Sequence, residues 1–236
     1  FYSCCSLGKY YANRGMMHTK LNKIQEAKKF GDLSIRNKNS DYLFYLIKLC
    51  GELVRQKKNK EALLLMRKAI PELKNTNNNY YKIGFVSFYL RSLMANNKHR
   101  QAMEYANEYL EAYKTVIFEH RWHLFFTVYF EVLSRCEKFT KISSLNRRYN
   151  LTGLEKKRID RADYIPVIQC YVHTAEFFES NVTKEKYIQQ FLRIIGDTIH
   201  DSFRMLKIEG IITDLSIFLP EEMKIIRKEI LKLKEG

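Results

Sequence analysis

The stretch NKHRQAMEYANEYLEAY, residues 97–113, decides the fold class. Counting from Ala102, small or apolar side chains recur at +3, +4, +7 and +8 as Tyr105, Ala106, Tyr109 and Leu110. Those offsets trace one face of an α-helix. KNKEALLLMRKAIPEL (58–73) repeats the pattern around Ala62, with Leu65, Met66, Ala69 and Ile70. NKIQEAKKFGDLSI (22–35) repeats it around Ala27, with Phe30, Gly31, Ser34 and Ile35. An Asn-Lys pair precedes each alanine: Asn22-Lys23, Asn59-Lys60 and Asn97-Lys98. Asparagine favours helix N-caps and turns, so these pairs read as helix starts.

A more aromatic stretch lies ahead of each: FYSCCSLGKYYAN (1–13), DYLFYLIKLCGELVRQ (41–56) and YYKIGFVSFYLRSLMAN (80–96). The repeating unit is helix, short turn, helix, with Asp41 the expected N-cap of the middle aromatic helix. These units resemble the tetratricopeptide repeat (TPR-like), best over residues 1–115. Leu7, Gly8 and Tyr11 match that family's Leu-Gly-x-x-Tyr, and Ala27 its following alanine. Ala62 and Ala69 match the two alanines of the second helix, with Cys50 and Gly51 near the glycine position; the third unit keeps Ala102 and has Leu90 for the glycine. The interval from Gly8 to Ala27 is longer than the family's, and the step from Ala62 to Ala102 exceeds its period of about 34 residues. The resemblance implies antiparallel helical hairpins that present a groove to a protein partner.

The pattern continues more loosely. Residues 118–136 and 138–151 form a fourth pair, and 161–180 and 183–203 a fifth. Pro166 falls at a helix start, where proline is tolerated. PEEMKIIRKEILKLKE (220–235) reads as a capping helix, with Glu221 and Glu222 complementing the dipole of its first turn. MLKIEGIITDLSIFL (205–219) is β-branched enough for a short strand or a packed linker. The expected fold is all-α: an α-solenoid of about five antiparallel hairpins with a C-terminal capping helix. Its expected divisions are 1–115 for the TPR-like hairpins, 116–204 for divergent hairpins and 205–236 for the linker and cap.

Composition agrees. Three prolines and nine glycines in 236 residues leave little turn punctuation for a strand-rich fold. At 46% hydrophobic residues the chain can bury a core. Its net charge of +15 attracts anions of any kind. That charge is spread along the chain, its densest clusters being Arg55, Lys57, Lys58 and Lys60, then Lys156, Lys157, Arg158 and Arg161. Five cysteines form no CxxC pair, which points to free thiols in a reducing, cytoplasmic setting rather than to disulfides or zinc. The strongest apolar run, WHLFFTVYFEVL (122–133), contains Glu131 and is too short to span a membrane. The chain opens at Phe1 within a helical pattern, which reads as a piece of a longer protein.

Catalytic motifs are not found. There is no GxxxxGK[ST], GxSxG or HExxH, so neither an enzyme nor a cofactor is expected. His120 and His123, beside Glu119, and His173 with Glu176 have the spacing of ligand pairs but lack a third ligand. The informative residues are charges on the aromatic first helices: Lys9, Lys48, Arg55, Lys82, Arg91, Arg121 and Arg135. The expectation is a non-catalytic sensor or scaffold, the repeat region of a larger signalling or defence protein. Lys9, Lys48, Arg55, Lys82, Arg91 and Arg121 would grip an acidic or extended partner segment. Residues 45–70 also resemble a pentatricopeptide repeat, whose implied partner is RNA. Exposed hairpin faces at either end would let copies of the chain pair.

Overall fold

The computed structural model describes residues 7–37, 42–75, 78–153, 164–180, 182–196 and 202–235. Among these residues every regular element is helical and there is no strand. Asp41, Cys4, Cys5 and the basic cluster at 156–161 lie outside them. The helices are α1 (Leu7–Lys20), α2 (Ile24–Arg36), α3 (Tyr42–Arg55), α4 (Asn59–Ala69), α5 (Asn79–Met94), α6 (His99–His120) and α7 (Trp122–Arg135). Then come α8 (Phe139–Tyr149), α9 (Ile165–Glu179), α10 (Lys184–Ile195), α11 (Ser202–Leu215) and α12 (Pro220–Glu235). Packing divides the chain into two compact units, Phe1–Phe125 and Phe126–Gly236.

One turn is built four times. Asn22, Lys57, Asn97 and Glu137 all take left-handed backbone, with φ of 58°, 60°, 57° and 57°. The N–H of the following lysine reaches back five residues in each: Lys23 to His18, Lys58 to Leu53, Lys98 to Leu93, Lys138 to Leu133. The left-handed residue's own N–H donates three residues back, to Thr19, Val54, Met94 and Ser134. This pair of bonds is the Schellman C-cap, which satisfies carbonyls the helix end would otherwise leave open. The lysine carbonyl then accepts from the residue four ahead: Ala27, Ala62, Ala102 and Ile142.

The asparagines therefore do not cap the next helix. Asn22 and Asn97 end the preceding one, because a left-handed residue is what the Schellman geometry needs. In the second unit the equivalent pair is Lys57-Lys58, and Asn59 is already helical. The fourth copy, Glu137-Lys138, has Ile142 where the others have alanine. The copies fall 35, 40 and 40 residues apart.

In the first unit α1 packs on α2 and α3, α2 on α4, α3 on α4 and α5, α4 on α5, and α5 on α6. Ala27, Ala62 and Ala102 are fully buried. Small residues set the helix spacing. A Cβ on Gly8 would meet Asn37 O at 2.4 Å, and one on Gly15 would meet Leu49 Cδ2 at 2.9 Å. Leu65 and Leu49 close on Gly31 in the same way. Ser34 Oγ donates to Gly8 O at 2.7 Å, locking α2 to α1. Gly15 lies inside α1, so the helix runs to Lys20 instead of ending near Asn13. That extension accounts for the long Gly8–Ala27 interval. The long step from Ala62 to Ala102 is taken up by a 3-10 helix, Ile70–Asn75, inserted before α5.

The second unit packs α8 on α9, α9 on α10 and α11, α10 on α12, and α11 on α12. Tyr187 is its hub, lying 5.0 Å from the His173 ring and 4.4 Å from Phe177. Thr174 Oγ1 donates to Cys170 O, so the Tyr187 hydroxyl at 2.9 Å donates to Thr174. Arg135 pairs with Asp214. Residues 205–215, open between strand and linker in sequence, lie in α11. Met205, Ile208, Ile212 and Leu215 are buried at helical spacing, and that burial overrides the β-branched bias.

Candidate surface on the first helices

Superposing the hairpins on their turns aligns α1, α3 and α5 residue by residue. Lys9, Phe44 and Gly84 correspond, as do Asn13, Lys48 and Phe88, then Met16, Gly51 and Arg91, then Lys20, Arg55 and Ala95. None of these side chains is buried. They form the face turned away from α2, α4 and α6, and a Cβ on Gly51 would touch Phe88 at 3.8 Å.

Three cations, Lys9, Lys48 and Arg121, lie over rings of this face or its border. Lys9 Nζ is 5.1 Å from the Tyr45 ring centroid. Lys48 Nζ is 4.4 Å from Phe44 and 5.8 Å from Tyr45. The guanidinium of Arg121 is 4.1 Å from Tyr80. The rings themselves connect: Phe44 to Tyr45 at 5.2 Å, Phe44 to Tyr81 at 5.4 Å, and Tyr80 to Tyr81 at 5.7 Å. The result is an unbroken strip, Lys9–Tyr45–Lys48–Phe44–Tyr81–Tyr80–Arg121. A cation over a ring face gains about 0.5–1 kcal/mol at exposed sites, which holds its head in place while leaving it wet.

Charge is sorted between the two sets of helices. α1, α3 and α5 carry seven cations: Lys9, Arg14, Lys20, Lys48, Arg55, Lys82 and Arg91. Glu52 is their one carboxylate. It is spent on Arg55 at 2.5 Å and on Gln56 at 3.2 Å, and the Arg55 hydrogen bond holds it below the ordinary carboxylate range. It is the carboxylates that are sorted: Glu26, Asp32, Glu61, Glu104, Glu108, Glu111 and Glu119 sit on α2, α4 and α6, where they mix with the cations Lys28, Lys29, Arg36, Lys60, Arg67, Lys68, Arg100 and Lys114.

Five of the six singled-out residues meet on this face: Lys9, Lys48, Arg55, Arg91 and Arg121. Arg121 belongs to no first helix. It occupies the break between α6 and α7 (φ −138°), and reaches the face because Gly84 leaves room; a Cβ there would stand 3.0 Å from Arg121 Nη1. Lys82 is different. It is only 7% exposed, because its position corresponds to Leu7 and Tyr42, on the side of α5 that packs inward. Its Nζ lies 5.7 Å from the Tyr113 ring, and desolvation pulls its pKa down. Arg135 is held by Asp214 in the second unit. Sequence reasoning missed the rings Phe44, Tyr45, Tyr80 and Tyr81 as partners of the cations.

A second feature lies beside Lys82. Tyr89, Tyr105, Tyr109 and Tyr113 form a ladder with centroids 5.1, 6.3 and 4.7 Å apart. Tyr105, Tyr109 and Tyr113 line a cleft of about 290 Å³ with Ile70, Pro71 and Leu73. Burial pushes the Tyr105 and Tyr109 hydroxyls well above the tyrosine range, so neither is poised for acid–base work at neutral pH.

His120 and His123 fall on opposite sides of the Arg121 break rather than on one helix. His173 Nε2 bonds to Tyr187 O at 3.1 Å. Among the described residues no three His, Cys, Asp or Glu side chains gather to hold a metal. Burial raises the Cys50 and Cys170 thiols far above the usual range, which leaves them unreactive. No described helix is long and apolar enough to cross a membrane. Comparisons with protein-family models, curated proteins and solved structures give no match.

Proposed function

We propose that the chain is a non-catalytic protein-binding module, a TPR-like array of helical hairpins that takes an acidic, extended partner segment along the cation–ring strip. The sorting of charge carries this reading. Packing alone does not require α1, α3 and α5 to have one carboxylate among seven cations while the neighbouring helices mix seven carboxylates with eight cations. A surface built to bind its own chain would mix the signs. The strip offers an extended segment pinned ammonium and guanidinium heads for its carboxylates and ring edges for its apolar side chains. This role fits the sensor or scaffold portion of a larger intracellular signalling or defence protein.

The test is fluorescence anisotropy with the full chain. A labelled peptide alternating glutamate with aromatic residues is compared with a labelled mixed-sequence single-stranded RNA at low and physiological salt. Peptide binding that survives physiological salt, with RNA binding that fades steeply, supports the proposal. Rings and cations also suit stacked bases, so tight RNA binding at physiological salt with none of the peptide would move the assignment to an RNA-binding, pentatricopeptide-like repeat.

A further inference from the structure

The hairpin α9–α10 holds a polar cleft of about 410 Å³. On the α9 side it is lined by His173, Glu176 and Phe177. His173 and Phe177 are one helical turn apart, and both rings stack on Tyr187, at 16° and 27° to its plane. Tyr187 is fully buried, so this wall is set before any ligand arrives. A carbonyl can only accept, so His173 Nε2–H donates to Tyr187 O and fixes the imidazole further.

The α10 side is a polar stripe. Lys186, Gln189, Gln190 and Arg193 fall at helical spacing on one face and line the cleft. The opposite face of α10, with Tyr187, Phe191 and Ile195, is buried. Burial of one face leaves the other in water; it does not require that face to point cations and amides into a concavity shared with a carboxylate.

The charges of the cleft are unspent. Glu176, Lys186 and Arg193 form no ion pair among the described residues, with one another or with any other side chain. The same two helices use their other charges. Glu179 pairs with Arg147 at 3.6 Å, and Lys184 with Glu222 at 3.1 Å. Glu185 lies in the first turn of α10, where the helix dipole favours a carboxylate. Opposite charges that line one cleft without meeting keep their capacity for a third group.

The lining then specifies its complement. Two cations and one carboxylate match a ligand with two anionic groups and one ammonium. Its volume falls in the range of small-ligand pockets, about 300–1,000 Å³. An acidic amino acid meets both conditions.

We propose that this cleft binds an acidic amino acid. Its two carboxylates lie on Lys186 and Arg193 and its ammonium on Glu176. The Gln189 and Gln190 amides donate to the remaining carboxylate oxygens, and Phe177 packs on the methylenes. The site is built entirely within the second unit, and the reading does not rest on the cation–ring strip.

The test is a two-dimensional amide NMR titration of the full chain with L-glutamate at physiological salt. Saturable shifts centred on α9 and α10 are expected, with a Kd of about 1 mM or tighter. Glutarate keeps both carboxylates but lacks the ammonium, and the α-amide of L-glutamate mimics the first residue of a peptide. Each should bind roughly threefold or more weaker. Arg193→Gln and Lys186→Gln should each weaken L-glutamate by a similar factor. Glu176→Gln should weaken L-glutamate and not glutarate, although it makes the chain more basic. Lys228→Gln, at an exposed cation of α12 outside the cleft, should leave affinity unchanged. Every altered residue except Glu176 and Lys228 lies on the polar stripe of α10, and circular dichroism verifies that the helices persist. Absence of saturable shifts overturns the proposal. So does glutarate or the α-amide binding the parent chain as well as L-glutamate, or a Glu176→Gln variant that binds L-glutamate as tightly as the parent. A loss at Lys228→Gln equal to that at Arg193→Gln overturns it too, because the ligand would then follow net charge.

Discussion

Lys57 and Glu137 occupy the same left-handed backbone state, φ 60° and 57°, at the same place in two hairpin turns. Neither side chain favours it. For an L-residue other than glycine or asparagine that region costs about 1 kcal/mol, and glycine is the usual occupant of the C′ site of a Schellman cap. Lys57→Gly and Glu137→Gly should each stabilise the fold by about 0.5–1 kcal/mol, the glycine's greater freedom in the unfolded chain offsetting part of the gain. Asn97→Gly should change stability by a few tenths, since asparagine already tolerates the conformation. Urea unfolding measures all three. A loss at Lys57 or Glu137 would mean that those side chains contribute something the turn geometry does not explain.

Two glycines in helices should respond to alanine with opposite signs. Gly8 has backbone atoms in the way: its Cβ would stand 2.4 Å from Asn37 O and 3.3 Å from Ser34 O. Backbone cannot rotate aside, so Gly8→Ala should cost about 1–3 kcal/mol through overpacking. Gly210, inside α11, has nothing within 4 Å of its Cβ position. Gly210→Ala should therefore stabilise by about 0.5–1 kcal/mol from helix propensity alone. Thermal melts of the two variants give the signs directly, and equal effects would remove the packing role assigned to Gly8.

Lys82 makes a prediction about pH. The residue is 7% exposed, its ammonium lies 5.7 Å from the Tyr113 ring with no ion pair among the described residues, and desolvation sets its folded-state pKa below the unfolded value of about 10.4. The unfolded chain then binds the proton more readily. The charge costs stability in full below the folded-state pKa, and the cost disappears as pH rises through that pKa toward 10.4. Lys82→Met, which keeps the stem and drops the charge, should raise stability at pH 7 by about 1 kcal/mol, or about 2–4 °C in Tm. The advantage should narrow toward pH 10. A gap that stays constant between pH 7 and pH 10 would show that burial of the charge is not its source.

The helical fold was legible because the alanine-centred offsets of Ala27, Ala62 and Ala102 mark one helix face each, and those faces are buried. Helix ends were harder to read. Asn22 and Asn97 look like N-caps in sequence because asparagine suits both an N-cap and a left-handed C′, and only the reach-back bond of the next lysine separates the two. The fourth turn was legible as the break between 136 and 138, but its left-handed residue was not, because Glu137 is neither asparagine nor glycine. The break at Arg121 has no proline or glycine to announce it; a long-range contact, the guanidinium on Tyr80 over Gly84, accompanies it. The surface followed the same rule. Charges at Lys48 and Arg55 were visible one helix at a time, whereas Lys82 appeared equivalent until the register placed it on the inward side of α5.

That distinction gives the sharpest test of the strip. Lys48→Glu and Arg121→Glu each remove a cation held over a ring and add an anion beside the partner's carboxylates. At an exposed site each lost pair is worth about 0.5–1 kcal/mol, so each variant should weaken the acidic peptide at least two- to fivefold. The loss should shrink as salt rises. Gly84→Leu should act through Arg121 without changing any charge. Its side chain would enter the space where Arg121 Nη1 lies, 3.0 Å from the Cβ position, and the obstructing atom is the far end of a flexible side chain, so the fold should tolerate it. Lys82→Met is the control: its charge is buried away from the face, and peptide affinity should stay within twofold of the parent. If Lys82→Met weakened the peptide as much as Lys48→Glu, the peptide would be responding to net charge alone, and the strip would have no special claim on it.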